Sequence, residues 1–225
     1  MLAVKTPDGP LLNGFGDVLL VPDAVPELAR ADVDLQTSFL GKTLRYPVLI
    51  NALTGGTASA YHINKILGAT ACRFGLAMAV GSMTIALETP AVLDSFSVAR
   101  ESNPDGIIIA NCGANLEAAR ACRLVDLIAA DALQVHLNVA QELAMVEGDR
   151  DFRGILDNVA RIVDRCPVPV IAKEVGFGLS REAAGKLYRT GVRIIDNGGS
   201  GGTNFIAIEH QRRGNFDQQL YEWGI

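Results

Sequence analysis

The chain has 225 residues, of which 49% are hydrophobic, 20% charged and 6% aromatic, with a formal net charge of −5; this is the composition of an ordinary globular protein, not of a disordered or fibrous one. Twenty Lys and Arg against 25 Asp and Glu, with no basic block, exclude the electrostatic footprint of a nucleic-acid binder. No apolar run reaches the roughly 18 residues a membrane span needs, and the first ten residues lack the basic and apolar regions of a secretory signal, so a cytoplasmic protein without a membrane partner is expected.

Residues 1–44 read as an N-terminal extension and 45–225 as one domain, because no low-complexity linker interrupts the later pattern. In that domain short β-branched runs alternate with amphipathic helical stretches. The first run, Tyr46 to Leu53, is followed by Thr54-Gly55-Gly56 and a helix ending near Gly75. The second, Ala77 to Gly81, precedes a helix predicted across Thr89 to Ser102; the third, Gly106 to Asn111, precedes one across Leu116 to Ala130. After the fourth, Ala132 to Asn138, the helix comes late, from Phe152 to Cys166, leaving the polar insertion Glu147-Gly148-Asp149-Arg150. A long strand-to-helix loop of this kind usually carries function. The fifth run, Pro169 to Glu174, leads through Gly176-Phe177-Gly178 to a helix that Ser180 can cap, and the sixth, Gly191 to Asp196, precedes Gly198-Gly199-Ser200-Gly201-Gly202-Thr203.

Six strand–helix units predict a parallel sheet, closed as a (β/α)8 barrel or open and doubly wound. Each run ends in polar or glycine residues: Asn51 and Thr54, Ser82, Asn111, His136 and Asn138, Lys173, then Asp196 and Asn197. Functional groups distributed around a whole rim favour the barrel over an open sheet, which gathers them at one switch point. Tyr221 to Ile225 stands where a seventh unit would begin, so the expected fold is an α/β (β/α)8 barrel truncated after about six units. Cys72, Cys112, Cys122 and Cys166 lie far apart in apolar surroundings and read as reduced, buried small hydrophobes.

Several of these rim residues suggest chemistry. The glycine loops at 54–56 and 198–203 could turn backbone N–H groups toward an anion such as a phosphate, although neither is a Walker A loop or a dinucleotide fingerprint. Lys173, in an otherwise apolar strand, calls for an anionic partner, as a Schiff-base lysine or as a cation facing an electron-rich cofactor. Gln134, His136 and Asn138 alternate and so share one face of their strand, and Glu142, following Gln141, could hold a hard cation such as Mg2+.

Taken together, Ile50 to Gly56, Met78 to Ser82, Leu133 to Asn138 with Gln141-Glu142, Glu147 to Arg150, Lys173 to Gly178 and Gly198 to Phe205 resemble the type 2 isopentenyl-diphosphate isomerases, from about Gly14 to Ile225. The resemblance implies a (β/α)8 flavoprotein that interconverts isopentenyl and dimethylallyl diphosphate. It implies FMN and Mg2+ as cofactors, NADPH as the reductant of the flavin, and a homotetramer or homo-octamer. By the same resemblance Thr54, Gly55, Gly56, Ser82, Asn111, Lys173, Gly202 and Thr203 are flavin contacts. His136, Asn138 and Gln141 face the substrate, His136 and Gln141 as the catalytic pair, and Glu142 is the Mg2+ ligand. Met83 stands where this family usually carries Gln. Two other readings remain at this level: another FMN barrel of the 2-hydroxy-acid oxidase type, and a non-catalytic remnant that binds a phosphate ligand or a partner subunit; low flavin affinity is expected of these 225 residues alone.

Overall fold

In the computed structural model, which describes residues 13–214 and 218–223, residues 13–36 run as a solvent-exposed, mainly extended segment with two short 3-10 turns. Residues 1–12, 215–217 and 224–225 lie outside the described residues, among them the first ten read for a signal and the end of the stretch Tyr221 to Ile225. A hairpin follows, β1 (Thr37–Phe39) antiparallel to β2 (Lys42–Leu44).

The main sheet comprises β3 (Leu49–Ile50), β4 (Ala77–Ala79), β5 (Ile108–Gly113), β6 (Ala132–Leu137), β7 (Val170–Glu174) and β8 (Ile194–Asp196), all parallel and neighbours in chain order. Parallel neighbours require a crossover, supplied here by α1 (Ala58–Phe74), α3 (Asp94–Ser102), α4 (Ala118–Leu127), α6 (Ile155–Arg165) and α7 (Arg181–Arg189). Ser180 caps α7 as expected, accepting from the Ala183 N–H at 3.1 Å. Two boundaries differ from the sequence reading. The stretch predicted as one helix from Thr89 to Ser102 is a 3-10 turn opened by Pro90 and then α3, and a short α2 (Thr84–Glu88) precedes it. Between β6 and the polar insertion lies a helix that the sequence did not signal, α5 (Val139–Ala144), too short to leave a clear period.

Because successive strand residues point to opposite faces, the six strands build two apolar layers. Met78, Ile108, Ala110, Leu133, Val135, Val170 and Ala172 face outward, in one core with Phe96, Leu124 and Ile162 from the helices. Ala77, Ala79, Ile109, Ala132 and Ile171 face inward with Leu44 from the hairpin, which closes the end at the strands' N-termini. Asn51, just beyond β3, donates to Asp196 at the end of β8 at 2.5 Å, so the two edge strands turn toward each other without pairing. This is a (β/α)8 barrel arc of six units.

Asp131 fastens the hairpin to this arc. Its carboxylate meets Lys42 Nζ at 2.7 Å, Arg100 Nη2 at 2.6 Å and the Ile108 N–H at 2.9 Å. Burial pushes its pKa up, but the Lys42, Ile108 and Arg100 contacts together outweigh this and hold it below the ordinary aspartate value.

The cysteines correct the sequence reading. Cys122 on α4 and Cys166 at the end of α6 form a disulfide, with Cα atoms 5.2 Å apart, and Cys72 is exposed. Their separation of 44 residues hid the contact, which exists because α4 and α6 are neighbours in the helical layer. Cys112 does fit the expectation, its thiol pushed up to about 12 by burial.

Candidate functional site

Strand register assembles the site in rows. Asn111 lies opposite Gln134, and in the row above Gly113 lies opposite His136, His136 opposite Lys173, and Lys173 opposite Asp196. The inward face is therefore apolar at the hairpin end and polar at the strands' C-terminal ends, where barrels place their functional groups. Two cavities open there, of about 330 and about 290 Å3, and share Ser82, His136, Asn138 and Glu142. They form one cleft, whose second part also takes in Asn111, Gln141 and Lys173. Combined, this is the scale of a small-molecule site.

The lysine's charge has an internal answer. Lys173, whose side chain is 12% exposed, has its ammonium 3.5 Å from Asp196 Oδ2 and donates to the Glu174 carbonyl at 2.7 Å. His136 Nδ1 lies 2.9 Å from Asn111 Oδ1. Desolvation first, and then the Lys173 charge, push the His136 pKa down to about 4, so the ring is neutral at neutral pH.

Glu142, in the first turn of α5, is oriented on both oxygens. Oε1 accepts from Asn138 Nδ2 at 2.7 Å and Oε2 from the Asp149 N–H at 2.8 Å. Arg150 folds the insertion into that position by donating to the carbonyls of Glu142, Met145, Gly148 and Asp149. The polar run 147–150 is thus a brace around Glu142. Among the described residues no group of three or more His, Cys, Asp or Glu gathers, so a cation here would complete its shell with ligand or water oxygens.

The glycine loops sit at the same end of the sheet but outside the cleft lining. The Thr54 hydroxyl donates to Asn64 at 2.7 Å, the Gly56 N–H donates to Ser95 at 2.8 Å, and a side chain at Gly55 would overlap Phe96. That loop is committed to α1 and α3. Gly202 and Thr203 are exposed beyond β8, with the Thr203 carbonyl against Gly176. Met83 is fully buried in the outer core, so its side chain is turned away from the cleft.

Three groups escaped assignment from sequence. Gln134, wholly buried, donates to Asn51 at 3.1 Å and Asp196 at 3.3 Å. Asp196 was visible only as a polar strand end. Glu174 accepts the N–H groups of Gly176, Phe177 and Gly178 on Oε2 at 2.7, 2.6 and 3.0 Å, which makes the turn after β7. Its position one residue beyond Lys173, facing away from the cleft, was the available signal.

No protein-family model matches the chain. Among curated proteins it is 54% identical over 213 residues to the isopentenyl-diphosphate delta-isomerase of Moorella thermoacetica, covering 95% of this chain and 62% of that protein. It is 51% identical over 214 residues to the protein of the same name from Symbiobacterium thermophilum, covering 94% and 59%. The chain thus spans about three-fifths of the length of these relatives. Among solved structures, a lactate oxidase from Pediococcus acidilactici superposes with a TM-score of 0.55 at 16% identity, covering 86% of this chain and 61% of that one. (S)-mandelate dehydrogenase from Pseudomonas putida does so with a TM-score of 0.50 at 16% identity, covering 72% and 53%. At such identities these two speak to the fold alone. Among the described residues no helix is long and apolar enough to cross a membrane.

Proposed function

Because this chain is a homologue of the isopentenyl-diphosphate delta-isomerases along nearly its whole length, we propose that its cleft belongs to an FMN-dependent, type 2 enzyme interconverting isopentenyl and dimethylallyl diphosphate. The observation that carries this reading is convergence: Ser82, Asn111, His136, Asn138, Gln141, Glu142 and Lys173, drawn from four successive units, line one cavity.

The donor set suits both cofactors. A largely buried ammonium, Lys173, stands at the rim of the cleft where an anionic ring edge could meet it, and Ser82 lines the same cavity. Glu142 offers one pre-oriented carboxylate, which suits Mg2+ bound through few protein ligands and the oxygens of a diphosphate. Thr54, Gly55, Gly56, Gly202 and Thr203 would flank the flavin from the loops after β3 and β8.

The reaction adds a proton to the terminal alkene carbon and removes one from the carbon two bonds along, with no net change in electrons. Reduced FMN, kept so by NADPH, supplies acid and base chemistry when bound. The chain's own residues supply position and field. Glu142 and its cation would fix the diphosphate, Asn138 and Gln141 would orient the chain next to it, and the neutral His136 would border the hydrocarbon without adding a second positive charge. A cytoplasmic tetramer or octamer belongs to the same reading.

The test is conversion of isopentenyl diphosphate by the purified chain with FMN, NADPH and Mg2+ under anaerobic conditions. Turnover is expected to fall at least about 100-fold in Glu142→Gln, on the scale of losing a principal electrostatic contact to the reacting complex. Undiminished turnover in that variant would overturn Glu142 as the metal ligand. A chain extended at both ends that converts no isopentenyl diphosphate would overturn the proposed activity.

A further inference from the structure

We infer that Asp196 is a positioning residue that fixes the tautomer of His136 through a one-way chain of buried side-chain amides, leaving Nε2 as a hydrogen-bond acceptor toward the cleft. The chain starts from two groups whose roles are not interchangeable, since a lysine ammonium only donates and an ionised carboxylate only accepts. Asp196 Oδ2 faces Lys173 Nζ at 3.5 Å, Asn51 Nδ2 at 2.5 Å and Gln134 Nε2 at 3.3 Å, and Oδ1 accepts the Gly198 N–H at 3.1 Å. Asn51 is set as well, because its Oδ1 accepts from the Ala52 N–H at 2.8 Å and from Gln134 at 3.1 Å.

Gln134 must therefore turn its NH2 toward Asp196 and Asn51, which points its Oε1 at Asn111 Nδ2, 2.9 Å away. Asn111 then has only Oδ1 for His136, and the ring nitrogen 2.9 Å from it, Nδ1, has to carry the proton. Gln134 and Asn111 are 0% and 2% exposed, so no solvent is at hand to re-pair a reversed amide. Reversing the chain would set Gln134 Oε1 against the Asp196 carboxylate, acceptor against acceptor.

Burial and the Lys173 charge keep the ring neutral, with a pKa of about 4, so the nitrogen not bound to Asn111 holds a free lone pair. A Cβ on Gly113 would stand 3.4 Å from that Nε2. With glycine there, the lone pair opens onto the cavity that both residues line. On the proposed function, which only this consequence rests on, Nε2 cannot donate to a diphosphate oxygen, and the anionic end is directed to Glu142 instead.

The experiment is a long-range proton–nitrogen correlation spectrum of the chain labelled with 15N-histidine, without added ligand. Only His62, His136 and His210 contribute, and His136→Gln identifies the signal. The wild type is expected to show the Nδ1–H tautomer alone. Asp196→Asn lets position 196 donate to Gln134, so the reversed chain is opposed only by Asn51 Oδ1 and an Nε2–H population is expected. Adding Asn111→Asp to that variant puts an obligatory acceptor beside the ring and should restore Nδ1–H. If Asp196→Asn does not fold, Gln134→Met cuts the chain while leaving Asp196 its Lys173, Asn51 and Gly198 partners, and the same mixture is expected. A wild type in the Nε2–H form, or an unchanged tautomer in whichever variant folds, overturns the inference. Failure of the chain extended at both ends to convert isopentenyl diphosphate, with the tautomer pattern intact, would sink the proposed function and leave this inference standing.

Discussion

Replacing Glu174 with Ala removes the acceptor on which the whole turn after β7 closes. Three backbone N–H groups, those of Gly176, Phe177 and Gly178, converge on Oε2 within 3.0 Å, and Glu174 is 7% exposed. A hydrogen bond to a charged group contributes about 1.5–3 kcal/mol. Gly176 and Gly178 are half-buried and can recover water, which places them near or below the lower end, whereas Phe177 is buried and its N–H cannot. The expected cost is about 4 kcal/mol, a large part of the roughly 5–15 kcal/mol that stabilises a typical domain. Glu174→Gln keeps an oxygen acceptor and should cost about 1 kcal/mol or less.

The two variants also differ in pH dependence. Burial raises the Glu174 pKa, and the N–H groups of Phe177, Gly176 and Gly178 offset this only in part. A carboxyl whose folded pKa lies above its unfolded one contributes stability that is fully present below the unfolded pKa and declines as pH rises through the folded pKa. Gln carries no such titration, so the wild-type advantage over Glu174→Gln should shrink from pH 4 toward neutrality, about the range over which glutamates titrate. Urea unfolding followed by far-UV circular dichroism at several pH values measures both effects. An Ala variant within about 1 kcal/mol of the wild type, or a Gln variant as damaged as the Ala one, would refute the assignment of the turn to this oxygen.

Asp131→Ala should cost about 3 kcal/mol, most of it from Arg100 and the Ile108 N–H, because the Lys42 side chain is 42% exposed and its ion pair contributes under about 1 kcal/mol. The Asp131 pKa is depressed, so this contribution is present above the unfolded value of about 3.9 and is lost as pH falls through the folded one. A stability difference that persisted at pH 2 would contradict it, since that is about where such carboxylates are protonated. Reducing Cys122–Cys166, which closes a loop across 44 residues, should cost up to about 4 kcal/mol by chain entropy. The melting temperature should then fall on adding reductant in the wild type but not in Cys122→Ser/Cys166→Ser. Gly198→Ala should cost at least about 2 kcal/mol, since Gly198 has φ +53° and a Cβ there would overlap the Glu174 carbonyl; a calorimetric melting curve unchanged from the wild type would show that the turn yields freely.

Sequence alone was enough for the order and type of the six parallel units, because the central strands β4 to β7 are buried on both faces and each crossover helix carries its own apolar stripe; both signals are local. It also singled out His136, Asn138 and Lys173, polar groups at the ends of apolar runs, and Glu142 just beyond one, which the fold brings to one cavity. Only the tertiary structure decided how those groups are used. The strand register puts His136, Lys173 and Asp196 in one row, and the curl of the sheet brings Asn51 from the first strand to Asp196 on the last, 145 residues away. It gives Lys173 a carboxylate inside the protein, turns Met83 into the core, commits Thr54 to α1 and joins Cys122 to Cys166. Hydrogen-bond direction and helix adjacency depend on residues far apart in the chain, and a pattern read over a dozen neighbours carries no information about which distant strand or helix will stand beside it.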